Sequence, residues 1–255
     1  MLRSFGPYIP RRPQKLNGPL MAMLLNGLHD HHAGRVFVLH IGAGTGEGSI
    51  PLLDRFRDAG WSGLLVEPYP DHFAALEALH ADSDRVAVLN LGVSDTAATL
   101  ALHSASPGAL ARNPRLPHGR ATLIRERLGL TDAADITSVD IPVLRLDAVL
   151  EELGLGTADL VVINAGGHEE QVLRSFDLGA LAPKLALVQA APGTLVESAT
   201  AEAFSQAGLL VFRIGDWLAG LAPGALFVPL EELLSFFNRG IDQSADPATA
   251  TETEE

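Results

Sequence analysis

The stretch Val36–Ser49, VFVLHIGAGTGEGS, decides the fold. Val36, Phe37, Val38, Leu39 and Ile41, interrupted by His40, read as a buried strand, because β-branched and aromatic residues suit a packed, pleated surface. The run enters Gly42, Gly44, Gly46 and Gly48. A helix-start signal follows, with Ser49 as N-cap, Pro51 in the first turn, and Leu52, Leu53 and Phe56 as the apolar face. That order aims a helix N-terminus at a loop whose missing side chains let a ligand lie on the backbone.

Glycine spacing separates the ligand classes that use such a loop. The dinucleotide fingerprint requires glycine at position 47, where Glu47 would set a carboxylate against a pyrophosphate. No Gly-Lys-Ser/Thr follows, so the nucleotide-triphosphate loop is excluded as well. What remains, GAGTG after a strand, resembles the S-adenosylmethionine loop of class I methyltransferases. That ligand carries an amino acid and a sulfonium, and carboxylates are tolerated beside the cation. A tight strand-to-helix connection with close packing is the purely structural reading of the same glycines.

Length and composition bound the rest. At 255 residues and 26.9 kDa the chain fits one α/β domain with additions. Lys+Arg 18 against Asp+Glu 31 gives a net charge of -13, which repels a phosphate polymer, so no nucleic-acid partner is expected. Cysteine is absent, which removes disulfides, thiolate chemistry and cysteine-ligated metals and fits a reducing, cytoplasmic setting. Arg3, Arg11, Arg12 and Lys15 before the apolar run Leu20–Leu28 resemble a signal peptide. Pro10, Pro13, Pro19, Asn26 and the missing cleavage site argue against one. No run approaches the roughly 18 apolar residues of a membrane span, so no membrane partner is expected.

Residues 1–35 read as a proline-punctuated arm and a short helix, Leu20–Leu28. His29-Asp30-His31-His32 falls in a predicted loop without a second ligand group at a metal-site spacing, so it reads as a solvated turn and no metal is expected. Ser62–Glu67 is a second strand ending in a carboxylate. In a doubly wound sheet ligands bind at that edge, and an acid there can accept both ribose hydroxyls. Pro68 and Pro70 start a helix with Phe73, Leu76 and Leu79 on one face, and strand three, Arg85–Leu91, runs into Gly92-Val93-Ser94-Asp95.

The succession GAGTG, LLVEPYPDHFAAL, VLNLGVSDTAATL, IPVLRLDAVLEEL and VVINAGGHEEQVL, from about Val36 to Gln189, resembles the FkbM family of S-adenosylmethionine-dependent methyltransferases, mostly O-methylating enzymes. The resemblance implies an α/β fold: a doubly wound, mostly parallel, seven-stranded Rossmann-like sheet with an antiparallel last strand and an inserted strand pair. That pair is Thr99–His103 with Val139–Val143, and an insertion at about 104–138 is expected as a lid over the ligand edge. The domain would span 36–241, followed by a disordered acidic tail, 242–255. Strand four is expected at Asp159–Asn164 and strand five at Leu185–Gln189. A helix at Thr194–Ala207, closing strands Leu209–Ile214 and Ala225–Val228, and a terminal helix Glu231–Arg239 complete the reading. Leu146-Asp147 matches the family's Leu-Asp step, with Asp147 read as the N-cap of a helix Ala148–Leu153.

The same resemblance implies S-adenosylmethionine as cofactor, held by His40, Gly42, Gly44, Thr45, Gly46, Glu67, Pro68, Ser94 and Asp95, the last as partner of the adenine amine. Three positions, at two strand ends, depart from the family. His40 stands where its first strand ends in Asp, and Asn164, Gly166, Gly167 and Glu169 stand where its fourth strand ends Asp-x-Glu/Gln-Gly-x-Glu. Asn164 can accept a hydrogen bond but cannot take a proton. The candidate catalytic residues are therefore His168, Glu169 and Asn164, with His168, whose ordinary pKa is about 6.5, as the base. Arg112, Arg115, His118, Arg120, Arg125 and Arg127 crowd the insertion. Arg112 and Arg115 are expected at the substrate site, where guanidinium forks would favour a carboxylated or phosphorylated small-molecule acceptor. The sequence thus reads as a methyltransferase acting on a small-molecule or sugar hydroxyl. A methyltransferase-like binding or scaffolding protein with a decayed catalytic edge is the alternative, and a nicotinamide-dependent oxidoreductase, disfavoured by Glu47, is third.

Overall fold

The computed structural model describes residues 14–48, 50–113 and 121–225. Expectations for Ser49, Arg115, His118, Arg120, the helix Glu231–Arg239 and the tail 242–255 fall outside these residues.

The strands are β1 (Phe37–Ile41), β2 (Ser62–Val66), β3 (Val86–Leu89), β4 (Gly92–Val93), β5 (Ala98–Ala105), β6 (Ala121–Thr122), β7 (Ile136–Leu144), β8 (Leu160–Ile163), β9 (Leu185–Gln189), β10 (Leu210–Ile214) and β11 (Trp217–Leu221). Seven of them form one sheet in the order β10-β11-β9-β8-β1-β2-β3. Every pairing in it is parallel except the two made by β11. The chain winds outward in both directions from β1 and β8, and that reversal opens a crevice at their carboxyl ends. The doubly wound α/β architecture and its antiparallel strand are as expected.

Near-continuous apolar strands put side chains into both faces of this sheet. Leu39, Ile41, Leu64, Val66, Val161 and Ile163 face helices α5 (Leu146–Leu153), α6 (Glu169–Leu173), α7 (Leu178–Leu181) and α8 (Leu195–Gln206). Val36, Val38, Leu65, Val162 and Leu187 face α1 (Gln14–His31), α2 (Leu53–Arg57) and α3 (Pro70–Leu79). Trp61 is fully buried on the second side, and its indole N–H donates to His29 Nδ1 at 3.1 Å.

Several boundaries differ from those expected. Helix α1 begins at Gln14 rather than Leu20, because Pro19 costs one backbone hydrogen bond while already holding a helical φ. The His29-Asp30-His31 cluster consequently lies on the last turn of that helix and not in a loop. Helix α2 starts at Leu53, with Leu52 as its N-cap, so Pro51 precedes it. The antiparallel strand that pairs with β10 is Trp217–Leu221, because Gly215-Asp216 makes a two-residue turn that pairs Ile214 with Trp217; the strand expected at Ala225–Val228 lies, beyond Ala225, outside the described residues. Asp147 lies one position inside α5, whose N-cap is Arg145. Its carboxylate accepts from Arg145 Nε and from the Ala148 N–H at 2.8 Å.

The inserted strand pair is present and longer than expected. β5 and β7 run antiparallel from Ala98↔Val143 to Ala105↔Ile136, in a separate four-stranded sheet ordered β4-β7-β5-β6. Leu102, Ile141 and Val143 form its own small core, which Tyr69 and Leu123 join. Because β4 follows β3 after two residues, this second sheet is fixed over the crevice. No helix among the described residues is long and apolar enough to cross a membrane.

The N-terminal helix is integral to the domain, as Leu25 and Leu28 are completely buried. Leu25→Ala should cost about 2–5 kcal/mol, through lost transfer energy and a residual cavity. Urea unfolding should show one cooperative transition at a lower midpoint. A separate early transition would mean that the helix detaches independently.

Candidate active site

The carboxyl ends of β1, β2 and β8 and the segment after β3 surround a cleft of about 180 Å³. Gly42, Gly44, Glu67, Pro68, Asn164 and His168 line its floor, and Leu102, Ala121, Leu123 and Ile141 of the second sheet line its cover. Gly42 has φ +76°, and a Cβ there would overlap the Asn164 carbonyl oxygen, so only glycine lets the ends of β1 and β8 meet. Over Gly44 nothing lies within 4 Å of where a Cβ would stand. That face of the loop is open.

Glu67 is 5% exposed, yet its carboxylate is well supplied with donors. Oε2 accepts the Gly44 N–H at 2.7 Å and Oε1 the Tyr69 N–H at 3.0 Å. His72 Nδ1 stands 3.6 Å from Oε1. His72 was not anticipated from sequence, although its place in the first turn of α3, five residues beyond Glu67, turns it back toward the strand end. The Pro68 carbonyl, beside Glu67, accepts from Asn90 Nδ2 at 3.3 Å.

A second group of polar side chains meets at the other wall. Ser94 Oγ lies 2.9 Å from His168 Nε2 and 3.3 Å from Asp95 Oδ1. A carboxylate has no proton to give, so the Ser94 hydroxyl donates to Asp95 and accepts from His168 Nε2–H. This assignment leaves Nδ1 as the unprotonated ring nitrogen. Burial pushes the His168 pKa down, and the Asp95 carboxylate offsets part of that shift. Arg145 Nη1 fixes the segment by donating to the Asp95 carbonyl at 2.8 Å.

Glu169 is 2% exposed and accepts the Gly167 N–H at 3.0 Å, so its carboxylate holds the turn before α6 and does not line the cleft. Arg112, at the end of helix α4 (Pro107–Arg112) and expected at the acceptor site, does not line it either. Its guanidinium pairs with Asp135 on the exposed side of the insertion. The insertion instead reaches the site through Ala121 and Leu123, and between them Thr122 Oγ1 donates to the Gly166 carbonyl at 2.8 Å. No sequence signal marks that threonine.

On the opposite face of the glycine loop is a cavity of about 270 Å³, lined by His40, Thr45, Gly46, Glu47, His80 and Phe56, with Gly42, Gly44, His72 and Asn164 shared between the two spaces. The structure thus divides the expected cofactor residues. Gly42, Gly44, Glu67 and Pro68 face the cleft, His40, Thr45 and Gly46 face the rear cavity, and Ser94 and Asp95 support His168. His40 is half-buried beside this cavity, and burial pushes its pKa down to about 4.

A model of the methyltransferase FkbM domain matches residues 40–213. No curated protein matches the sequence. Among solved structures, the chain is similar to the methyltransferase FkbM from Methylobacillus flagellatus KT, at 13% identity and a TM-score of 0.48, covering 74% of this chain and 44% of that one. It therefore spans less than half the length of that protein. It is also similar to precorrin-6y C5,15-methyltransferase from Geobacter metallireducens GS-15, at 12% identity and a TM-score of 0.43, covering 80% of this chain and 88% of that one. A third likeness is to Aeropyrum pernix fibrillarin in complex with natively bound S-adenosyl-L-methionine, at 12% identity and a TM-score of 0.39, covering 72% and 65%.

The depressed His40 pKa links stability to pH. Between its ordinary value of 6.5 and about 4, the unfolded chain binds a proton that the folded chain does not. Stability therefore falls as pH falls through that window, approaching about 1.4 kcal/mol per pH unit once the unfolded histidine is charged. Burial of His168 and His80 acts in the same direction. Chemical denaturation at pH 7 and pH 4.5 should show a smaller stability loss in His40→Gln than in the wild type. Equal losses would mean that His40 titrates normally in the fold.

Proposed function

The chain belongs to the FkbM methyltransferase domain family, and from that membership we infer that it transfers a methyl group from S-adenosylmethionine to a hydroxyl of a small-molecule or sugar acceptor. The observation that carries this reading is Glu67, a buried carboxylate lining the cleft beside the open face of Gly44. These residues fit the donor. A carboxylate at the end of β2 suits ribose hydroxyls, the bare loop allows close approach, and Pro68, Leu91 and Val93 offer apolar walls for a purine. S-adenosylmethionine bound there would supply a methyl group activated by its sulfonium.

His168 serves as the base toward the acceptor hydroxyl. Ser94 holds its Nε2, so Nδ1 carries the free lone pair, and its lowered pKa keeps the ring neutral near pH 7. Asn164, which lines the cleft, would orient the hydroxyl by accepting from it without taking its proton. Alignment of acceptor and methyl would supply most of the rate. The net charge of -13 supports a small acceptor over a nucleic acid, and the lack of cysteine is compatible with a cytoplasmic setting.

Calorimetric titration with S-adenosylhomocysteine should give saturable binding, and Glu67→Ala should weaken it by about 1.5–3 kcal/mol. Tighter binding of NADH would overturn the class.

The loss of the family's Asp at position 164 and of its Glu or Gln at 166 favours a second reading, a binding protein that has lost its chemistry. Restoring both is not feasible: Gly166 has φ +61°, and a Cβ there would stand 2.9 Å from the Ala121 carbonyl oxygen. Asn164→Asp alone is the informative variant. In an active wild type, His168→Ala should slow turnover by about 10²-fold at unchanged cofactor affinity, and Asn164→Asp should also reduce it. An inert wild type that gains methyl transfer as Asn164→Asp would establish the relic.

A further inference from the structure

The cavity behind the glycine loop, about 270 Å³, is larger than the cleft, at about 180 Å³. Each alone falls below the roughly 300–1,000 Å³ of a typical small-molecule site, and together they fall within it. What divides them is thin. Gly42 and Gly44 carry no side chain, and nothing lies within 4 Å of where a Cβ of Gly44 would stand. Asn164 and His72 face both spaces.

The rear lining has its own chemistry. His40, near the end of β1, and His80, the C-cap of α3, both reach it, and the His80 ring stands edge-on to Phe56 with centroids 5.5 Å apart. Burial pushes both imidazoles down in pKa, to about 4 for His40, and the Arg57 charge adds to the shift of His80. Both rings are therefore neutral at pH 7, and a neutral imidazole offers one donor and one acceptor. Phe56 and Trp217 add apolar surface, Thr45 a hydroxyl, and Glu47, exposed on the loop, a carboxylate. No lysine or arginine lines the cavity among the described residues. An oxyanion would meet no cation there, whereas hydroxyl groups find partners of both kinds and a ring finds apolar walls.

Given the methyl-transfer reading of the cleft, we propose that the rear cavity is the acceptor site and takes a neutral ring bearing adjacent hydroxyls, a sugar or a catechol. Asn164, on the boundary, presents the reacting hydroxyl to the cleft, where His168 stands. His40, Thr45 and Glu47 then serve the acceptor and not the donor. The donor keeps the Glu67 side of the loop.

The test follows histidine ring signals of the full chain by NMR during titration with S-adenosylhomocysteine and then with methyl glucoside, catechol or glucuronate. S-adenosylhomocysteine should move the His168 signal, and one neutral ring should then bind saturably and move those of His40 and His80. Which of the two binds separates a sugar from a catechol source. His40→Gln and Glu47→Gln should each weaken ring binding at least about threefold while S-adenosylhomocysteine binds as before. Glu47 is exposed, so its variant keeps the fold. The assignment is overturned if neither ring binds saturably, if glucuronate binds more tightly, if binding survives both variants, or if S-adenosylhomocysteine displaces the ring. Ring binding that follows His40 and Glu47 while S-adenosylhomocysteine fails to bind leaves the ring site standing and removes the methyl-transfer reading.

Discussion

The carboxylate of Glu67, taken out of water at the end of β2, is the interaction on which the site depends. A buried carboxylate is costly unless it is hydrogen-bonded, and this one meets that condition by accepting N–H groups from Gly44 and Tyr69. The first bond reaches across to the glycine loop after β1, and the second fixes the entry to α3. A single side chain thus ties strand two, the loop and a helix into one frame. The same carboxylate lines the cleft, so the group that organises the loop is also available to a ligand.

A shift of charge across the sheet edge accompanies that frame. His40, where the family carries an acid, is half-buried and neutral at ordinary pH, and Asn164 is neutral at any pH. Negative charge remains at Glu67, at Asp95 behind Ser94, and at Glu169 beneath the Gly167 turn. Two of these three act through a backbone N–H or a hydroxyl next to His168. The wall opposite Glu67 is therefore built to place an imidazole, with its tautomer set by the serine in between.

Much of the sheet was legible in the sequence because parallel strands buried on both faces are written as short apolar runs, and six of the seven sheet strands lie within such expected runs. The seventh, Trp217–Leu221, was not expected, for a local reason. Ile214-Gly215-Asp216-Trp217 carries a two-residue hairpin signal that sets the antiparallel partner of β10 immediately after it, while in sequence the apolar residues beyond Gly224 read as that partner. Glu67 and the glycines were readable from position along the chain. The Ser94–His168 contact was not, since it joins residues 74 apart whose meeting is decided by how β4 and the end of β8 converge. Nor was the pairing of Arg112 with Asp135, because composition shows a cluster of arginines while ion pairing is a tertiary fact.

The insertion and the altered family motif are one adaptation. Ala121 of β6 sets its carbonyl against the Cα of Gly166, and Thr122, 1% exposed, bonds the Gly166 carbonyl. A residue with a Cβ at 166 would face both an unfavourable positive φ and that carbonyl oxygen. A carboxylate at position 166 and this placement of β6 thus exclude each other. By docking β6 on a bare turn, the chain exchanges the family's Glu or Gln on its own sheet edge for contacts supplied by the insertion. Such a swap changes the wall at Gly166, while the Glu67 side meets the insertion elsewhere, through Tyr69, whose hydroxyl accepts from Ser104 Oγ at 3.4 Å.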